Sequence, residues 1–160
     1  MKNTNYLLTR DSFQKLVKDL ADQESERIFC KHSLQHFIDV ARICYIHCLE
    51  DQIPVDKDLV YVTALLHDLG RSLSGTDGKD HHLHSQEIAQ SFLQEMNFNP
   101  EQQALILQAI SQHRHTQEIA TDPFARAFQL ADKEARLCFQ CPAYDLCYWP
   151  EERKNQVLKY

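Results

Sequence analysis

Glycine and proline are scarce. Three glycines and five prolines occur in 160 residues, and none interrupts a long periodic run. The chain therefore reads as all-α. No apolar run approaches the ~18 residues that a membrane span needs. Nothing after Met1-Lys2-Asn3-Thr4-Asn5 has the apolar core of a secretory signal, so a cytoplasmic protein is expected. Basic charge is not in excess. The net charge is −6, which argues against broad nucleic-acid binding, because that needs a basic face. A small or mononucleotide-sized anion stays compatible, since a bound metal can outweigh the net charge locally. Repeats, low-complexity stretches and linkers are missing too, and the length suits one domain, 1–160, with a real core.

Apolar spacing places the helices. Phe13, Leu16, Val17 and Leu20 form one stripe of a helix from about Asp11 to Ala21. A second helix is expected over Ser25 to Glu50, with Leu34, Phe37, Ile38, Ala41 and Cys44 on its apolar face, and Pro54 beyond it. Asp56 reads as the N-cap of a third helix that ends at Gly70. Its Leu59, Val60, Val62, Ala64, Leu65 and Leu66 make it apolar nearly all round, as the buried centre should be. A turn-rich loop follows from Arg71 to His82. A fourth helix is expected from His84 to Asn97, a fifth from Asn99-Pro100 to His113, and a sixth from Asp122 to Cys138. The tail, 138–160, is rich in cysteine.

Histidine is abundant, with nine in the chain, and its placement is clustered. His67-Asp68 lies at the end of the most apolar helix. Burying that carboxylate is costly unless something pairs with it. Asp132 repeats the pattern inside Phe128-Gln129-Leu130-Ala131-Asp132. His36, His84 and His113 fall on other helices or helix ends, and a helical bundle can gather such ligands into one site. Mixed imidazole and carboxylate donors suit Fe, Mn, Zn, Ni or Co better than Mg or Ca. An ion so held polarises a phosphoryl oxygen and activates water. His32 and His47 flank His36 on the same helix and His82 and His115 are further histidines; for these four a core or surface role is expected.

The order of these motifs resembles the HD-domain phosphohydrolase superfamily. His36-Phe37-Ile38-Asp39-Val40-Ala41 is similar to its first motif, Leu65-Leu66-His67-Asp68-Leu69-Gly70-Arg71 to its signature, and Ala131-Asp132-Lys133 to its last. His84-Ser85-Gln86-Glu87-Ile88-Ala89 and Ala109-Ile110-Ser111-Gln112-His113 are similar to the extra histidine motifs of binuclear members. The likeness covers about 28–136. It implies an all-α HD-domain helical bundle in which His36, His67, Asp68 and Asp132 hold one metal. Asp68 would bridge to a second metal, held by His84 and His113. Arg71 stands where many binuclear members carry a lysine; Arg71, Lys133 and Arg114 are the expected phosphate-binding cations. Asp68 and Lys133 are the expected catalytic residues.

Cys138, Cys141 and Cys147 follow a Cys-x2-Cys-x5-Cys spacing that suits zinc or an iron–sulfur cluster. Cys30 is the best candidate for a fourth ligand. The competing reading makes the tail cysteines small buried hydrophobes under a C-terminal flap; Cys44 and Cys48 read as core.

The leading functional expectation is a metal-dependent phosphohydrolase acting on a nucleotide or other small phosphate ester. The alternative is a metal- or redox-sensing binding module on the same scaffold, with the cysteines as sensor. Oxygen chemistry on a di-iron centre is a third reading.

Overall fold

The computed structural model describes residues 1–73, 80–113 and 120–160. Among these, seven α-helices and no strand occur: α1 (Lys2–Leu8), α2 (Asp11–Gln23), α3 (Leu34–Glu50), α4 (Lys57–Leu66), α5 (His81–Leu93), α6 (Pro100–Gln112) and α7 (Pro123–Glu134). Short 3-10 turns occupy Leu69–Leu73 and three places in the tail. The expected all-α architecture is what the chain adopts.

The helix starts are set by side chains that satisfy otherwise orphaned amides. Ser33 Oγ accepts from the His36 amide at 3.3 Å, which starts α3 and places His36 in its first turn. Asp56 caps α4, and Asp122 caps α7 by accepting from the Ala125 amide at 2.9 Å. Asn99 and Gln102 form a reciprocal capping box at α6, with Pro100 at the first helical position.

The all-round apolar α4 is the centre. Leu59, Val60, Val62, Ala64, Leu65 and Leu66 are buried, and the helix packs against α1, α3 and α6. Helix α7 lies against α3 and α6, and α5 against α6 and the turn at Leu69–Leu73. The ends of α4, α6 and α7 and the starts of α3 and α5 thereby come together.

Several boundaries differ from the sequence expectation. The second helix begins at Leu34, not Ser25, because the Ser33 cap starts it there and Cys30 has a positive φ of 37° that no helix contains. The third ends at Leu66 and continues as a 3-10 turn. The fourth begins at His81, one turn earlier than expected. The sixth stops at Glu134 rather than Cys138.

Helix α1 has no counterpart in the periodicity. It is held by one buried carboxylate: Asp58 accepts from the amides of Asn3 and Thr4, each at 2.8 Å, and from Thr4 Oγ1 at 2.5 Å. Burial pushes the Asp58 carboxyl up, but the bonds from Thr4 and Asn3 outweigh it and hold it below its ordinary value.

Gly70 fixes the approach of α5. A Cβ there would stand 2.1 Å from the carbonyl oxygen of His81 and 2.3 Å from the amide nitrogen of Ser85. The Gly70 amide donates to Ser85 Oγ at 3.0 Å. The backbone of α5 thus rests directly on the turn after Asp68, a contact only glycine permits.

Candidate metal centre

His67 and His113 occupy equivalent positions, each the residue that closes a helix, α4 and α6 respectively. His67 Nδ1 donates to the Ala64 carbonyl at 2.7 Å, and His113 Nδ1 donates to the Ile110 carbonyl at 2.6 Å. A carbonyl only accepts, so in both rings Nδ1 carries hydrogen and Nε2 is the nitrogen turned inward. Phe37 and Phe128 pack edge-on against the His67 ring and fix its plane.

Among the described residues, two groups of donor atoms result. His36, His67, Asp68 and Asp132 form one; Asp68, His81 and His113 form the other. In the first, His36 Nε2 is 3.2 Å and His67 Nε2 3.7 Å from Asp132 Oδ1, and His67 Nε2 is 3.4 Å from Asp68 Oδ2. In the second, His113 Nε2 and His81 Nε2 are 3.5 and 3.7 Å from Asp68 Oδ1. Asp68 therefore turns one oxygen to each group.

This donor set fits cations. All six residues are buried. Both Asp68 oxygens and the Nε2 atoms of His67 and His113 make no well-aligned hydrogen bond. A buried carboxylate whose oxygens lack aligned donors, as those of Asp68 do, requires positive charge. The side chains answer that need in part. Burial would lower the His67 pKa, yet Asp68 and Asp132 raise it to about 9. Burial would raise both carboxyls, but His67 at Asp68, and Arg136 with His36 at Asp132, hold them well below the ordinary range. Imidazole and carboxylate donors facing one another at 3.2–3.7 Å are the arrangement that a mid-to-late first-row divalent ion would fill.

Of the sequence candidates, His36, His67, Asp68, His113 and Asp132 meet in these groups. His84 does not. Its Nδ1 lies 3.7 Å from Glu87 Oε2 on its own helix, and His81 stands in the second group instead. The two histidines lie about 60° apart around α5. Once α5 starts a turn earlier, His81 rather than His84 faces Asp68.

His32 is buried and reaches the centre. Glu24 accepts from its amide at 2.6 Å and from Nδ1 at 2.7 Å, and its Nε2 faces Asp68 Oδ2 at 3.4 Å. Burial lowers its pKa to about 4, against the support of Glu24, so the ring is neutral at neutral pH. The only sequence signal for it was its position one turn before His36. His47 is elsewhere, bonded to Glu134 at 2.7 Å.

Arg71 Nε lies 2.8 Å from Asp68 Oδ1. Arg136, which the sequence reading missed, places Nη2 3.2 Å from Asp132 Oδ1 across one helical turn. Both open onto a cleft of about 680 Å³, lined also by His32, His82, His113 and Lys133. Burial and the nearby Arg153 lower the Lys133 pKa. Arg114 and His115 lie outside the described residues.

All the cysteines are free thiols. Among the described residues, neither donor group contains one. Cys138 is buried, Cys30, Cys141 and Cys147 are half-buried, and Cys30 lies beside the Arg136 guanidinium. Cys44 and Cys48 sit in the core, as expected.

Comparison with known proteins agrees with the all-α fold. A family model described as HD domain matches residues 33–137, a span that starts at the cap of α3 and ends just past α7. A protein of Clostridium beijerinckii, described as an uncharacterized protein, is 37% identical over 160 residues, the whole of both chains. No solved structure matches the chain at a significant level.

Proposed function

The chain belongs to the HD-domain family, and from that premise we propose that it is a metal-dependent phosphohydrolase acting on a nucleotide or another small phosphate ester. The observation that carries the reading is Asp68. Its two oxygens divide between two sets of histidines, lack aligned hydrogen bonds, and stand beside a cationic cleft.

His36, His67, Asp68 and Asp132 would hold one ion, and Asp68, His81 and His113 a second. Bound there, such ions supply Lewis acidity toward a phosphoryl oxygen and lower the pKa of a water molecule. The protein does the rest. The carbonyls of Ala64 and Ile110 keep the His67 and His113 rings in the one tautomer that offers Nε2. Arg71, on the 3-10 turn after Asp68, would turn its guanidinium to a phosphoryl oxygen once bound cations take over the charge of Asp68. Lys133 enters the cleft from the residue after Asp132, where it would neutralise growing charge on the phosphoryl group. Buried walls on α4 and α7 limit water at the reacting centre.

The test pairs metal content with turnover. Natively loaded wild-type protein is expected to contain a first-row divalent metal and to hydrolyse phosphomonoesters or phosphodiesters with Mn or Fe. Asp68→Ala is expected to lose both together. A fully active, metal-free Asp68→Ala protein overturns the reading.

A further inference from the structure

The tail beyond Glu134 forms one wall of the cleft, and 138–160 falls outside the span that the family model matches. It carries Trp149, the single tryptophan of the chain. The guanidinium carbons of Arg136 and Arg153 stand 5.7 and 5.4 Å from the centroid of its ring. At that distance the indole attracts the cations and restrains them.

The cleft gathers cations in a chain whose net charge is −6. Most are answered from within. Arg71 pairs with Asp68, Arg136 with Asp132, and Lys159 with Glu134. Arg153 is different. Its side chain is exposed, it rests on Trp149, and among the described residues it forms no ion pair with a carboxylate. It lines the same cleft as Lys133. Cations that line one cleft of about 680 Å³, too large for one phosphate, are arranged for an anion that spans them.

We propose that Arg153, seated on Trp149, forms with Lys133 a second phosphate-binding subsite in the cleft, so that the preferred substrate carries two or more adjacent phosphoryl groups. The metal centre would take one group and the tail the next. This rests on the phosphohydrolase reading and deepens it to a diphosphate-bearing substrate class. Trp149 acts as a positioning residue, because it holds the guanidinium without touching the reacting atoms.

Trp149 also reports on the subsite. The full-length, metal-loaded protein is titrated with methylenediphosphonate, which resists hydrolysis, and with methylphosphonate, which has one phosphonate group. Tryptophan emission is followed at constant ionic strength. Methylenediphosphonate is expected to change the emission saturably and to bind about tenfold tighter or more, as one added charge-assisted contact provides. Arg153→Gln is expected to weaken methylenediphosphonate about tenfold and methylphosphonate less than about twofold, with Arg153→Lys recovering part of the loss. Arg153 is exposed, so an unchanged Tm in both variants will show that the fold is intact. Equal affinity for the two ligands, or an equal loss for both in Arg153→Gln, overturns the subsite. If phosphate esters are hydrolysed while the subsite fails, the enzyme reading stands alone. If methylenediphosphonate binds as expected while no ester turns over, the subsite stands and the enzyme reading falls.

Discussion

The α-carbon of Gly70 and the carbonyl oxygen of His81 are so close that a Cβ on Gly70 would stand 2.1 Å from that oxygen. The obstacle is backbone, so it cannot turn aside as a side chain could. Gly70→Ala is expected to push the first turn of α5 away from the turn that follows Asp68. The stability loss should be about 1–3 kcal/mol or more, as for overpacking, seen as a lower Tm. His81 moves with its helix, so the metal content of the folded variant should fall as well.

His81 and His84 give opposite expectations. His81→Ala should weaken metal binding at least about tenfold, measured by titration against a competing chelator. His84→Ala should leave metal content unchanged and lower only the Tm. If His84→Ala loses metal while His81→Ala keeps it, the assignment of the second group is reversed.

Metal removal should destabilise the protein. Without an ion, Asp68 and the Nε2 atoms of His67 and His113 keep buried polar atoms without aligned partners. A chelator is expected to lower the Tm. Readdition at a hundredfold excess over Kd should return about 2.7 kcal/mol. The check is thermal unfolding across a metal concentration series.

Glu24 supports His32 through two hydrogen bonds, at 2.6 and 2.7 Å. Glu24→Ala leaves two buried donors without an acceptor, and a loss of about 2–3 kcal/mol is expected. Glu24→Gln retains an acceptor oxygen and should lose less. Urea unfolding of the two variants measures the difference.

The anchor of α1 should make stability depend on acid. The Asp58 carboxyl is held below its ordinary value in the folded chain, so the folded state binds the proton more weakly than the unfolded one. Its contribution is complete above the unfolded carboxyl value of about 3.9 and is lost as pH falls through the lower folded value. Asp58→Asn is expected to lower the Tm at neutral pH, with bonds of about 1–3 kcal/mol at stake. The gap to wild type should narrow in strong acid.

Most of the first donor group was legible because its residues interrupt a clear pattern. Asp68 and Asp132 are carboxylates set into apolar helical runs, and His36 lies on an apolar face. His81 was not legible for a local reason. Turn-forming residues before it placed the helix start at His84, and the close packing that draws α5 back to His81 depends on Gly70, a tertiary contact. The Asp58 clamp on α1 joins residues more than fifty positions apart, which no periodicity records. His32 was visible as a position on a helix, yet it acts from a loop held by Glu24. Arg136 has helical spacing to Asp132, but its role comes from burial beside the cleft.

His67 and His113 each spend one ring nitrogen closing a helix, through Ala64 and Ile110. The bond that ends the helix is thus the bond that aims the donor. Both rings are already oriented when an ion arrives, so capture freezes out little rotamer freedom and proceeds without a slow rearrangement. The coupling also runs the other way. Fraying at the end of α4 or α6 misdirects a donor, and ions held in the two groups, which share Asp68, would tie the two helix ends into one cooperative unit.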